Sequence, residues 1–296
     1  MCSNDPVSPV PTPCGGPELA ARALKCGEAK AKLGFIPTLV LGIMAGVYIG
    51  FAANFFTIMK TGNTLPFGVQ QSLGGLCFCL GLILVVVGGA ELFTGNTLIT
   101  MAWLSGRVRS TSMLRNWAIV YAGNLIGSIV LVYLVVASGQ DALSGGDVGE
   151  TAMKIAAAKC SLTWGEVFFR GILCNALVCL AVWLCYGACT NTDRILAILF
   201  PITAFVACGF EHCVANMYFI PLGLALKSTA ASVPDGVADV LTVSNCLFRN
   251  LIPSTLGNIV GGSLVVGGAY WVSYLLPETP AFRGFAARRN NKCDLE

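Results

Sequence analysis

The sequence predicts an all-α polytopic membrane protein with six transmembrane helices, arranged as two inverted halves of three helices each. Three observations predict this class: an apolar composition, six long apolar runs, and polar motifs that recur in the same order in both halves. Of the 296 residues, 55% are hydrophobic and 11% are charged. A soluble domain carries about a quarter charged residues, so lipid is the expected solvent for much of the surface.

The composition also argues against several other classes. The formal net charge of +3 is small and the basic residues are scattered, so no nucleic-acid partner is expected. Many of the 14 cysteines lie inside apolar runs, where a thiol packs as a small hydrophobe. No spacing of cysteines with histidines is typical of a metal site, and we expect neither a metal nor a cofactor. Residues 1–35 contain no apolar stretch, so no secretory signal is expected.

Six apolar runs are long enough to cross a bilayer, which takes about 20 residues in a helix. The second and fifth runs are too long for one straight crossing, and each carries polar residues in its middle. We expect both helices to break there, since irregular backbone at membrane depth is tolerated only where protein or a cavity satisfies it. The runs are 36–59, 61–90 with an extension to 104, 117–137, 171–189, 195–226 and 251–276.

These runs define one transmembrane domain, 36–276, with halves 36–137 and 163–276. Segment 1–35, with a short interfacial helix over 18–33, should precede it, and a tail, 277–296, should follow. Of the 18 Lys and Arg residues, twelve fall on one side of the predicted spans and five on the other. Because the basic side is normally cytoplasmic, both termini are expected in the cytoplasm.

Three polar motifs recur in order in the two halves. Three is an odd number of spans, so the second half should insert upside down relative to the first. Inverted repeats of this kind hold a transport site near the bilayer midplane, between the broken helices; the alternative is a duplication that left only packing motifs. The pairs are Gly50-x3-Asn54 with Gly171-x3-Asn175, Glu91-x4-Asn96 with Glu211-x4-Asn216, and Arg115-Asn116-x6-Gly123-Asn124 with Arg249-Asn250-x6-Gly257-Asn258.

The predicted break in the fifth run contains His212, the chain's one histidine. Imidazole can donate to a carboxylate, and its unperturbed pKa of about 6.5 makes protonation accessible. An ionisable group inside a membrane protein is a functional candidate by default, although a satisfied core histidine is the alternative. Thr94, in the other break, could hydrogen-bond His212 or substrate; alternatively, its hydroxyl caps a helix.

The two acids at the breaks, Glu91 and Glu211, are interpreted as anchors. Each carboxylate could accept backbone N–H bonds and fix its loop, while Asn96 and Asn216 supply paired donors. A proton relay through the acids is the alternative interpretation.

Three segments resemble the formate/nitrite transporter family. Residues 89–97 are similar to its first signature, residues 171–181 to its second, and residues 210–217 to its fifth-helix break with the central histidine. The resemblance runs from about residue 18 to residue 276. Thr94-Gly95 and the Cys-rich helices look most like the family's apicomplexan branch. The resemblance implies an aquaporin-like fold, a homopentamer with one pore per protomer, and proton-coupled export of lactate and formate across the plasma membrane.

The family pattern also implies roles for individual residues. Lys30 and Lys159 match basic vestibule positions that attract the anion. Five apolar residues match two constrictions that flank the histidine and strip water from the permeant, although Phe78 and Leu82 could equally be core residues four apart on one helix face. The constriction residues are Phe78, Leu82, Leu92, Phe93 and Phe205.

Together these features predict proton-coupled transport of small monocarboxylates: L-lactate, formate, and also pyruvate and acetate. A bare anion pays a large desolvation cost in an apolar constriction, whereas its neutral acid pays much less. The first alternative is a passive channel for formate, nitrite or hydrosulfide. A neutral-solute channel is disfavoured because no paired Asn-Pro-Ala motifs occur. An enzyme is disfavoured because the lone histidine has no nucleophile partner.

Overall fold

A computed structural model describes residues 14–230 and 232–276 of the chain. Residues 1–13 and the predicted tail, 277–296, lie outside the described part. Within that part the chain is helical, and no strand occurs. The helices are α1 Gly16–Lys32, α2 Phe35–Lys60, α3 Phe67–Gly88, α4 Phe93–Asn96, α5 Ile99–Leu104, α6 Ser110–Ala137, α7 Asp147–Ser161, α8 Trp164–Gly187, α9 Asn191–Ala207, α10 Cys213–Thr229, α11 Val237–Val240 and α12 Asn245–Leu275, with a 3-10 segment Gln140–Gly146.

Five of the described helices, α2, α3, α6, α8 and α12, are long and apolar enough to cross a membrane. The second and fifth apolar runs, which are too long for one straight crossing, are both interrupted. The second run becomes α3, followed after residues 89–92 by the short helices α4 and α5. The fifth run becomes α9 and α10, separated by residues 208–212. The helices α9 and α10 have 17 residues each, so each is about 26 Å long at 1.5 Å per residue.

Glycines bring two pairs of helices into close contact. A Cβ atom on Gly46 would overlap the backbone of Asn124, which joins α2 to α6. A Cβ on Gly261 would overlap the Ile172 carbonyl, which joins α12 to α8. Small residues at such crossings let two backbones approach each other directly. The same packing device therefore holds an α2–α6 pair in the first half and an α8–α12 pair in the second.

These contacts correct one of the three repeat matches. Gly42 lies against Gly123 in the first half, and Gly171 lies against Gly257 in the second. Gly171 therefore corresponds to Gly42, so the predicted equivalence of Gly171 with Gly50 is wrong. Glycines recur every four residues along α2, and the contact with the partner helix, rather than the spacing, determines the register.

The first helix, α1, packs against the protein along one face. Its buried residues are small, including Ala20, Ala23 and Gly27, and the facing elements include α5 and α8. α1 carries Lys30 in its last turn, and α7, which also precedes a long apolar helix, carries Lys159 in its last turn. The two lysines therefore have corresponding positions in the two halves. That α1 lies at the membrane interface stays a prediction.

Candidate functional site

Each break begins at a glycine with a left-handed backbone. Gly89 has φ 75° after α3, and Gly209 has φ 69° after α9. Residues with a Cβ atom disfavour this conformation, whereas glycine adopts it readily. The chain can therefore leave the helix and turn at these two positions. Glu91 and Glu211 follow two residues later. Their backbone N–H groups bond across to neighbouring helices, at Leu41 O in the first half and at the Arg170 carbonyl in the second.

A buried asparagine on α6 holds the first break. The Asn124 Oδ1 atom accepts the N–H of Phe93 at 2.9 Å, which opens α4. Its Nδ2 atom donates to the carbonyl oxygens of Gly42 at 2.8 Å and Glu91 at 3.0 Å. One side chain thus satisfies three backbone groups that the break would otherwise leave unpaired in an apolar interior.

Asn258 on α12 does the same for the second break. Its Oδ1 accepts the N–H of Cys213 at 2.9 Å, and its Nδ2 donates to Gly171 O at 2.8 Å and Glu211 O at 2.9 Å. Leaving a buried backbone group unsatisfied costs about 1–3 kcal/mol. The identical pattern in both halves indicates that these asparagines are what makes the broken helices stable.

We therefore expect Asn258→Leu to lower the thermal stability of the detergent-solubilised protein markedly, because three buried backbone groups lose their partner. Thermal melts followed by size-exclusion chromatography would measure the loss. Asn191→Leu is the matched control, since Asn191 lies exposed at the start of α9. Equal melting temperatures for the two variants would contradict this role of Asn258.

A second polar network surrounds Glu91. Lys30 Nζ donates to Glu91 Oε1 at 2.7 Å and to Asn96 Oδ1 at 3.0 Å. Asn96 Nδ2 donates to Glu91 Oε2 at 2.6 Å and to Asn116 Oδ1 at 2.9 Å. Asn116 closes the ring by donating to the Lys30 carbonyl at 3.1 Å. The carboxylate is thus neutralised by an ammonium and has acceptor bonds on both oxygens.

The second half repeats this network with two differences. Lys159 Nζ donates to Glu211 Oε1 at 2.9 Å, and Asn216 Nδ2 donates to Glu211 Oε2 at 2.7 Å and to Asn250 Oδ1 at 2.6 Å. Asn250 again donates to the Lys159 carbonyl, at 3.1 Å, but it also donates to Glu211 Oε2 at 3.0 Å. Among the described residues, however, Asn216 Oδ1 has no partner. Lys159 therefore has one protein acceptor where Lys30 has two.

These contacts differ from one expectation and add to another. The carboxylates of Glu91 and Glu211 accept bonds from side chains and not, among the described residues, from backbone N–H groups. The two lysines line the two cavities, as expected of vestibule positions, and each is in addition paired with its acid. An ammonium has three donors, so Lys159 keeps the larger capacity for a further acceptor.

His212 is the N-cap of α10. Its Nδ1 atom accepts the N–H of Ala215 at 3.0 Å, so the proton of the neutral ring lies on Nε2. Nε2 is 3.0 Å from Thr94 Oγ1. Addition of a proton at Nδ1 would set two donors against each other and break the cap. The geometry therefore favours a neutral ring that presents a single N–H donor.

Thr94 is held in place from several directions. Its carbonyl oxygen accepts from Thr97 Oγ1 at 2.6 Å, from Asn175 Nδ2 at 3.2 Å and from Cys179 Sγ at 3.4 Å. Thr94 is fully buried and His212 is 2% exposed. If His212 Nε2–H donates to the Thr94 hydroxyl, the hydroxyl proton can be directed to another acceptor. The pair then offers the Thr94 hydroxyl proton to a carboxylate, with the imidazole N–H polarising that hydroxyl.

Thr94 is not the counterpart of His212 in the repeat. Leu92 is the N-cap residue of α4 and His212 is the N-cap residue of α10. Each follows its glutamate directly, so Leu92 is the counterpart of His212. The site therefore joins an apolar position of one half to an imidazole of the other.

Two cavities reach this region. The Lys159 cavity, about 290 Å³, is lined by Lys159, Phe78, Phe205 and His212. The Lys30 cavity, about 500 Å³, is lined by Lys30, Leu82, Leu92 and Gly95. The rings of Phe78 and Phe205 meet edge to face at 5.6 Å between centroids, and Phe205 lies 5.9 Å from the His212 ring. Phe78 and Leu82, one helical turn apart on α3, thus face different cavities.

Phe93 does not lie with the other predicted constriction residues. It lines neither cavity, and its ring packs edge-on against Tyr121 at 5.0 Å and Trp117 at 6.3 Å between centroids. Phe93 is the first residue of α4 and its ring points toward α6. Burial against these aromatic side chains is sufficient to explain an apolar residue at this position.

Several polar residues near the site were not assigned to it from the sequence. Asn116, Asn250, Asn124 and Asn258 appeared only as repeat motifs, yet they form the networks around the breaks. Their signal was present, because asparagine rarely stays inside an apolar helix without a partner. Asn175, which supports the Thr94 carbonyl, was likewise noted only for its spacing.

Broken, apolar helices around buried polar groups and two cavities define a multi-pass membrane protein of the transporter and channel class. Residues 17–272 match the model of the "Formate/nitrite transporter" family, and the chain belongs to this family. It is 42% identical over 266 residues to "Formate channel FocA" of Escherichia coli, covering 87% of this chain and 93% of that protein.

Other relatives extend the comparison. "Formate-nitrite transporter 2" of Toxoplasma gondii is 34% identical over 265 residues, which cover 85% of this chain and 54% of that protein. A solved structure titled "Pentameric formate channel with formate bound" is 43% identical, with a TM-score of 0.76, covering 81% of this chain and 98% of that one. An "FNT family ion channel" has the same TM-score at 30% identity, with 86% and 98% covered.

Proposed function

We propose that this protein carries small monocarboxylates across the plasma membrane together with a proton, with formate and L-lactate as the principal substrates and pyruvate and acetate as further ones. The single observation that carries the proposal is the buried donor pair of His212 and Thr94, whose imidazole lines the Lys159 cavity. Formate enters the list also because relatives are named formate channels and one solved relative contains formate.

In the proposed architecture, six crossings form two inverted halves with an aquaporin-like arrangement. The matching networks around Glu91 and Glu211 support this, because they repeat residue for residue in the two halves. A homopentamer with one pore in each protomer is proposed from the solved pentameric relative. Both termini face the cytoplasm, and the Lys159 cavity then opens outside and the Lys30 cavity inside.

The proposed pathway begins at Lys159. Its ammonium has one acidic partner, Glu211, and two remaining donors, so a carboxylate can bind there without breaking the ion pair. Beyond it stand the rings of Phe78 and Phe205. A bare anion between these rings loses hydration that apolar side chains cannot replace. Desolvation raises the pKa of the substrate carboxylate, so it takes up a proton before crossing.

His212 acts in this pathway as a hydrogen-bond donor. Its Nδ1 is occupied by the Ala215 N–H, so a proton cannot pass through the ring from one nitrogen to the other while the cap is intact. Water in the Lys159 cavity therefore supplies the proton. The Nε2–H donates to the Thr94 hydroxyl, and this hydroxyl donates in turn to the carboxyl group and orients it while this happens.

A passive anion channel is the second candidate, favoured by the names of the bacterial relatives. The dependence of uptake on the outside pH distinguishes proton-coupled transport from a passive channel. Carboxylic acids titrate near pH 4, so the neutral acid fraction rises roughly tenfold for each unit by which the pH falls above that value. Proton-coupled uptake of radiolabelled lactate or formate into cells should rise steeply between neutral and acid pH and collapse with an uncoupler. Uptake indifferent to pH would favour the channel.

A further inference from the structure

The Lys159 cavity carries more positive charge than its ion pair accounts for. Three cations, Lys60, Lys159 and Arg170, line it together with one carboxylate, Glu211. Lys159 and Glu211 pair at 2.9 Å. Within residues 14–230 and 232–276, neither Lys60 nor Arg170 forms an ion pair. Two cations without a salt bridge therefore remain in the cavity, and of these Arg170 interacts at longer range with Glu166, one turn earlier on α8.

Neutral groups position these two cations without exhausting their donors. Lys60 Nζ donates to Gln70 Oε1 at 2.9 Å and to Gln71 Oε1 at 2.6 Å, which leaves one of its three protons. Arg170 Nη1 makes one long contact, 3.4 Å to Gly209 O, out of the five N–H donors of a guanidinium. Both side chains can thus accept an anionic ligand without breaking a salt bridge.

The two cations also approach the same short segment. Gln71, which holds Lys60, donates from Nε2 to Ala207 O at 3.4 Å, and Arg170 reaches Gly209 O. These carbonyls lie two residues apart, directly before Glu211 and His212. An anion held by Lys60 and Arg170 is therefore placed beside the entrance to the donor pair.

We propose that Lys60 and Arg170 form a capture site for small carboxylate anions in the Lys159 cavity, which is separate from Lys159 and is filled before it. This inference rests on the proposed function and assigns it an additional binding step. A cleft lined by one sign of charge raises the local concentration of a counter-charged solute and its rate of entry. The site works only on the anion, so it acts before the proton is taken up.

A purely structural role predicts different behaviour. Cations near the end of a helix can satisfy its last carbonyls, and α9 ends at this segment. Glutamine separates the two roles, because its amide still donates to a carbonyl but carries no charge. Lys60→Gln and Arg170→Gln should therefore fold normally while removing the capture site.

The test is the concentration dependence of formate uptake from outside into cells, at low and at physiological ionic strength. Each Gln variant should raise KM by roughly threefold or more, with Vmax within about twofold of the original. The salt dependence of KM should weaken in both, since salt screens such attraction. Lys60→Arg and Arg170→Lys should keep the original KM. Lys154→Gln removes a charge on α7 that is paired with Glu150, and it should leave KM and its salt dependence unchanged.

Unchanged KM and unchanged salt dependence in the Gln variants would overturn the inference while leaving the proposed function intact. A KM of the unaltered protein that does not rise with salt would also overturn it, without any variant. If the unaltered protein takes up no monocarboxylate at all, the proposed function itself fails.

Discussion

Replacement of His212 by Asn is expected to reduce formate and lactate transport by roughly 10- to 100-fold. An Asn side chain can still cap α10 by accepting the Ala215 N–H, so the fold should survive. It is too short to place a donor where Nε2 lies, 3.0 Å from Thr94 Oγ1. A hydrogen bond to a charged group contributes about 1.5–3 kcal/mol, and each 1.36 kcal/mol is a factor of ten in rate.

Two companion variants refine this test. His212→Gln restores an amide donor closer to the Nε2 position and should retain more transport than His212→Asn, despite a weaker cap. Thr94→Val keeps the shape of the side chain but removes the hydroxyl, so it should cause a smaller loss. Initial rates in liposomes, normalised to folded protein, would measure all three. Transport by His212→Asn within twofold of the original would show that the imidazole is not the central donor.

The second large effect concerns the fold. Gly127→Ala should prevent accumulation of folded protein, because the new Cβ would overlap the Ile43 carbonyl oxygen where α6 crosses α2. The overlap is with backbone, which cannot move without separating the two helices. Gly261→Ala should fail in the same way against the Ile172 carbonyl on α8. Size-exclusion chromatography of the fluorescently tagged protein would measure the folded yield.

Gly165→Ala is the matched control for both glycines. Nothing lies within 4 Å of a Cβ at this position of α8, and alanine is the better helix former by about 1 kcal/mol. Its folded yield should equal or exceed that of the original protein. If Gly127→Ala accumulates as well as Gly165→Ala, close glycine packing is not what holds the two helices together.

The sequence was sufficient to predict the breaks, because Glu91 and Glu211 interrupt apolar runs that are too long for one crossing. It was not sufficient for the register of α2. Gly42, Gly46 and Gly50 share one spacing, and only the position of Gly123 on the facing helix shows which glycine corresponds to Gly171.

The ion pairs at the two breaks could not be predicted from the sequence either. Lys30 and Glu91 are separated by 61 residues, and Lys159 and Glu211 by 52, so no spacing rule links them. The family resemblance placed the lysines in vestibules but gave them no partner, and the packing of α1 and α7 brings each lysine onto an acid. Phe93 shows the same limit, because the sequence cannot tell which way a buried ring points.

Simultaneous measurement of formate flux and membrane current, in liposomes with clamped pH and voltage, tests proton-coupled transport most directly. The account predicts flux that follows the pH gradient, with no net charge moved per formate and little response to voltage. Flux accompanied by one negative charge per formate, driven by voltage and indifferent to pH, would contradict it and establish a passive anion channel.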